Sequence, residues 1–324
     1  MKTKLFSLAL IVVVLLCSFN TLFAQTRYWI GGTNTVWGNP ADWSTMSGGP
    51  GGASVPGGVA TAVFDNNSGG IPTFTAGVPS GVGLTIQCEV GNGVNLNQPG
   101  LQCNITLYNG GTITFLAPTA VPLFTLYGGF VGGVGNAGIT TLNVAAGGGT
   151  LTWAGNVTNV NITGNCTLNY SSGNIANLSA STGQFVIPMG QTVTMTNIGA
   201  SSITMTGTGT LTVNGTLTCA ALVTVNVSGG AGAITVAPTG VFNVNGICNN
   251  SAIITNNGTM NVSVAGTGTL NNTGTITANG TINVSNVGFT ATLNNAGTIT
   301  VNGDGGQLRL LNGSTYSGAG ALNV

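Results

Sequence analysis

From about residue 80 onward, apolar and polar positions alternate with a period of two. The clearest stretch runs from Ile203 to Cys219, where odd positions are apolar or Gly and even positions are Thr or Asn. That alternation puts one face in a core and the other in solvent, the pattern of β-strands and not of helices. Gly and Thr also disfavour helix. The pieces are short and return as versions of one phrase: Thr239–Gly246, Asn257–Val262, Thr273–Gly280 and Ala296–Gly303. An echo of about twenty residues is the mark of a β-solenoid, in which a single coil cannot bury its inner face but a stack of coils can. The expected fold is therefore all-β, a right-handed parallel β-helix of about twelve to fifteen coils. Ile203, Met205, Leu211, Val213, Phe242, Val244, Met260, Val262, Ile276, Ile282, Ile299 and Val301 should point inward. Asn-Gly and Gly-Thr pairs are expected at corners that need positive φ. Outward Asn and Thr are expected to stack as ladders between coils.

Prolines divide the chain. Eight of ten precede residue 123, and three of the four Trp (Trp29, Trp37, Trp43) fall within residues 25–70. The domain reading is a signal peptide at 1–24, a Trp-rich entry module at 25–79, and solenoid repeats over 80–324. Lys2 and Lys4 followed by the apolar run from Leu5 to Leu16 give the leader its character. Ala24 before Gln25 marks its cleavage point, although Leu22 is larger than the residue usual three positions before a cut. The apolar run is too short to span a bilayer, so no membrane span is expected after cleavage. The chain ends in the repeat idiom without a polar cap, which reads as a solenoid truncated at its C-terminus.

Composition narrows the function. The 324 residues include four Lys or Arg, four Asp or Glu and no His. After the leader, Arg27 and Arg309 face Asp42, Asp65, Glu89 and Asp304, a formal charge of −2. Acid–base catalysis needs positioned titratable groups, so no enzyme, no catalytic residue and no cofactor are expected. There is no basis for holding phosphates, and nucleic acid is not an expected partner. A solenoid explains the scarcity of charge: a charged residue recurring in each coil would meet its own sign about 4.8 Å away. The five cysteines after the leader are Cys88, Cys103, Cys166, Cys219 and Cys248. Most of them alternate with hydrophobes and read as small core residues, and whether Cys88 and Cys103 pair is open. Asp42 and Asp65 could meet at a calcium ion, but such sites use six to eight oxygens, and no metal is expected. Asp304, in Asn302-Gly-Asp-Gly-Gly306, reads as a turn.

The entry module carries a resemblance. Tyr28-Trp-Ile-Gly-Gly32, Trp37-Gly-Asn-Pro-Ala-Asp-Trp-Ser44, Ser47 to Pro56 and Val63-Phe-Asp65 resemble the opening of secreted surface proteins of Bacteroidota. Those proteins begin with a YWVGG…W…W…SGG…VP…FD block, continue as Gly/Thr/Asn-rich β-helix and often use type IX secretion. Autotransporter passengers have a related start. The match covers about forty residues; Asp42 stands where many relatives carry His or Asn. The resemblance implies a secreted or outer-surface location and no activity.

Trp29, Trp37 and Trp43, with Asp42 among them, are read as a hydrophobic cap on the first coil, with a glycan platform as the alternative. The functional expectation is a structural, adhesin-like surface solenoid, whose partners would be surface glycans or other cell-surface proteins. One alternative is binding to ice or another crystal surface through Thr-x-Thr arrays: Thr204, Thr206, Thr208, Thr210 and Thr212, then Thr275/Thr277 and Thr298/Thr300. It requires the pairs to stack in register, and repeat spacings of 16 to 23 argue against that. A carbohydrate-binding β-helix is a further alternative. A β-helical lyase or hydrolase is disfavoured because Asp65, Glu89 and Arg309 are expected to lie far apart.

Overall fold

The computed structural model describes residues 25–133, 137–147, 150–195, 201–228, 233–285 and 289–324. The leader reading of residues 1–24 lies outside them. The chain is all-β and winds as a β-solenoid of about 11 parallel turns. Among the described residues no helix is long and apolar enough to cross a membrane.

From about residue 184 each coil has three strands, and like strands stack into three faces. The first face runs through Gln184–Ile187, Thr210–Val213, Ala233–Val236, Ile253–Asn256, Thr275–Ala278, Thr298–Val301 and Ala321–Asn323. The second runs through Thr192–Met195, Thr216–Cys219, Val241–Val244, Thr259–Val262, Thr281–Val284 and Gln307–Leu310. The third runs through Ser202–Met205, Thr224–Val227, Ile247–Asn250, Gly268–Asn272, Ala291–Asn295 and Ser314–Ser317. All these pairings are parallel, because each strand meets its counterpart one full turn later. Among the described strands an antiparallel pair occurs at the entry, between Thr26–Trp29 and Trp43–Ser44.

The alternation does what the pattern predicts. Of the twelve side chains expected inside, eleven are buried, and Val301 is partly buried. Val301 belongs to one of the last strands, where fewer coils cover it.

Three expectations need correction. The turns number about 11 and not twelve to fifteen. Partners one coil apart are separated by 18, 22, 23 or 25 residues, so coil length varies and is not a fixed twenty. Moreover, the repeated phrase does not mark successive coils. Gly240 and Gly258 precede paired strands of the second face, whereas Gly274 and Gly297 precede paired strands of the first.

The corner glycines are the second correction, and only in part: Gly110, Gly303 and Gly313, each after Asn, have positive φ as expected, as does Gly207 before Thr208. Gly240, Gly258, Gly274 and Gly297 are absent from the residues with positive φ. What excludes a side chain there is the coil below. A Cβ on Gly274 would sit 2.2 Å from the Ala252 carbonyl oxygen, and one on Gly297 would sit 2.1 Å from that of Gly274. Coil spacing and not local dihedral freedom selects Gly at these positions.

The third correction concerns asparagine. Outward ladders form as expected: Asn249 donates to Asn226, Asn271 to Asn249 and Asn294 to Asn271, at 2.8 to 2.9 Å. A second ladder points inward. Asn250 Nδ2 donates to Asn272 Oδ1 at 2.7 Å, and Asn272 Nδ2 to Asn295 Oδ1 at 2.8 Å, all three side chains being buried. The same Asn272 amide reaches the Thr298 carbonyl at 3.2 Å, which ties the corner between the third and first faces. A buried amide is stable only when its donors and acceptors are used, and stacking identical residues does this.

Candidate functional site

At the entry end the three tryptophans converge with Phe64 and Phe74. Trp29, Trp37 and Trp43 are each no more than 1% exposed. Trp43 lies edge-on to Trp29 at 5.0 Å and to Trp37 at 4.8 Å, with ring planes crossing at 72° and 61°. Phe74 lies edge-on to Trp29 at 5.1 Å and to Trp37 at 5.0 Å. Each indole N–H has an acceptor: Trp29 donates to the Gly32 carbonyl at 2.9 Å, Trp37 to that of Pro56 at 3.3 Å and Trp43 to that of Trp37 at 2.8 Å. Stacking on a sugar needs exposed, roughly coplanar rings, and these side chains offer neither.

Asp42 sits beside this cluster as a loop organiser. Its Oδ2 accepts from Asn34 and, at 2.8 Å, from Asn39 Nδ2, while its backbone carbonyl accepts from Ile30 N at 2.9 Å. Asp65 is buried and accepts from Asn67 N at 2.9 Å. Among the described residues no group of three or more His, Cys, Asp or Glu side chains is placed to hold a metal ion.

Asp65 and Glu89, expected to lie far apart, share one groove. Each follows a register partner, Phe64 and Cys88 respectively, so they occupy one column in consecutive coils. With Asn66, Val90 and Tyr108 they line a cavity of about 360 Å³. Glu89 Oε1 accepts from Gln87 Nε2 at 2.6 Å. Tyr108 stacks on Tyr127 one coil further on, with centroids 4.9 Å apart and planes 4° from parallel. Arg309 does not join them: it lies near the other end, in register with Asn283. The groove is legible in the sequence only once Phe64 and Cys88 are known to pair.

The first face carries an array that repeat spacing had argued against. Its second outward column reads Thr212, Thr235, Thr255, Thr277 and Thr300, each in register with the next. Its first outward column reads Thr210, Ala233, Ile253, Thr275 and Thr298. Coils of different length still deliver Thr to one column, because the extra residues sit in the corners. Thr204, also grouped with this array from the sequence, belongs to the third face, in register with Asn226. Thr206 and Thr208 lie at a turn, outside any strand.

The five described cysteines are free and buried. Burial pushes the thiols of Cys103 and Cys248 up to about 12 from the ordinary 9.0. It raises Cys88 and Cys219 as well, with neighbouring Cys103 and Cys248 adding to the shift. Such thiols are inert as nucleophiles, since the thiolate is the reactive form. Compared with family models, with curated proteins and with solved structures, the chain matches none.

Proposed function

We propose that this chain is a secreted or cell-surface structural solenoid, adhesin-like and without catalytic activity, whose partners are surface glycans or other cell-surface proteins. The observation that carries this reading is the continuous core from Trp29 to Ile299, wrapped by neutral faces. About 11 turns at ~4.8 Å each give a stiff body about 50 Å long, suited to holding a contact surface away from its base. The side chains that could serve chemistry are engaged structurally: Asp42 by Asn34 and Asn39, Asp65 by Asn67, Glu89 by Gln87. The test is antibody labelling of intact cells together with hydrolysis and β-elimination assays on polysaccharides. Labelling without permeabilisation and no turnover are expected. Turnover lost in Glu89→Gln, or labelling only after lysis, overturns the reading.

One observation favours carbohydrate binding as a second reading. The groove beside Tyr108 offers a ring, two carboxylates and an Asn amide, groups that can stack on and hydrogen-bond a sugar. Glycan-array binding lost in Tyr108→Ala supports it, and an array signal unaffected by that change refutes it.

A further inference from the structure

We propose that the first face is an ice-binding surface, on which the threonine column from Thr212 to Thr300 holds a crystalline lattice of water. Adhesion by the solenoid and ice binding by this face stand or fall separately.

Geometry is the first argument. Hydroxyls on neighbouring coils repeat at ~4.8 Å, and the two outward positions of one strand lie ~6.6 Å apart. In the coils holding Thr210/Thr212, Thr275/Thr277 and Thr298/Thr300 both positions are Thr. The face is thus a two-dimensional grid of hydroxyl and methyl groups, at spacings of the same order as those between water oxygens in ice. The backbone ladder fixes the grid, and β-branching restricts each Thr to few rotamers.

The other two faces supply the contrast. Their second outward columns carry Asn, and those amides are used by each other: Asn226 through Asn294 on the third face, Asn243 through Asn283 on the second. On the first face Thr212 accepts from Gln184 at 2.8 Å, while among the described residues no hydrogen bond engages the hydroxyls of Thr235, Thr255, Thr277 or Thr300. These four residues are half-buried, and among the described residues no partner uses the donor or acceptor capacity of their hydroxyls. The strands of this face from Thr210 to Val301 contain no charged residue that would hold liquid-like water instead.

Energetics explains why an array is needed. A hydroxyl gains little by exchanging a liquid neighbour for a frozen one, so single contacts are near neutral. Binding becomes favourable when many sites are held in the lattice geometry beforehand, because ordering then costs little. An unbroken column of five supplies this, and Ala233 and Ile253 interrupt only the neighbouring column.

The experiment is partition of the full chain into slowly growing ice, with inhibition of ice recrystallisation as the second readout and a melting curve for each variant. The parent is expected to enrich in ice. Thr255→Lys, in mid-column, should lower enrichment at least ten-fold at unchanged melting temperature. Thr259→Lys, on the second face, should leave it within two-fold. The double variant Ala233→Thr/Ile253→Thr completes the first column and should raise activity, a gain that misfolding cannot mimic. A parent excluded from ice overturns the proposal. So does equal loss in Thr255→Lys and Thr259→Lys, a folded double variant with lower activity, or retention on microcrystalline cellulose without retention in ice.

Discussion

Replacing Trp43 with Ala tests whether the entry cluster holds the first coil. The side chain is fully buried, its indole N–H is bonded to the Trp37 carbonyl at 2.8 Å, and its ring meets Trp29, Trp37 and Phe64 edge-on. Truncating a buried Trp costs about 3–5 kcal/mol. Edge-on aromatic pairs add about 0.5–1.5 kcal/mol each beyond burial, which places this site towards the upper end. In a stacked array that loss stays near its origin and frays the neighbouring coils first. Hydrogen exchange should therefore quicken in Thr26–Trp29, Thr61–Phe64 and Thr85–Cys88, while Thr275–Ala278 and Thr298–Val301 keep their protection. Trp43→Phe, which keeps a ring but leaves the Trp37 carbonyl without its donor, should cost about 1–3 kcal/mol. Unchanged exchange in the first coils would refute the capping argument. So would a melting temperature within about 1 °C of the parent, which for a chain of this size is below ~0.7 kcal/mol.

Other outcomes follow from the stacking. Gly274→Ala should destabilise by about 1–3 kcal/mol, the range for overpacking, because its Cβ meets the Ala252 carbonyl; Gly57→Ala, with nothing within 4 Å, should be neutral in the same denaturant titration. Asn272→Ala removes the middle rung of the buried ladder, leaves the Asn250 and Asn295 amides short of partners, and should cost about 2–4 kcal/mol in chemical denaturation. The buried thiols set an alkaline limit. The folded state keeps Cys88, Cys103, Cys219 and Cys248 protonated above the pH at which the unfolded chain loses those protons. Their contribution to stability is thus complete below about pH 9 and declines as pH rises towards 12, by up to ~1.4 kcal/mol per pH unit for each thiol. Cys219→Ala should flatten that decline, measured as the denaturant midpoint against pH, and a thiol reagent at neutral pH should react only on unfolding.

The sequence by itself determined the strands and their inner faces, because alternation is local and a period of two leaves no choice of which side is buried. Ile203, Met205, Phe242 and Val244 are inside for that reason. It also pointed to the aromatic cluster, since three tryptophans within fifteen residues must find a common shelter. What it could not determine was register, because a coil may lengthen at a corner without changing any strand. Repeat spacings therefore hid the Thr212–Thr300 column, and the phrase that led from Gly258 to Gly274 passed from one face to another. Register also decided which distant residues meet: Asp65 and Glu89 are brought together only because Phe64 pairs with Cys88. The corner glycines show the same division. At Gly110 and Gly313 the expected positive φ is present, but at Gly274 and Gly297 the reason lay in a carbonyl one coil away and not in the backbone angles. The inward asparagines share the parity of Cys248, Leu270 and Leu293, so alternation places them inside while their polarity points to solvent. Only a neighbour of the same kind above and below makes a buried place for them.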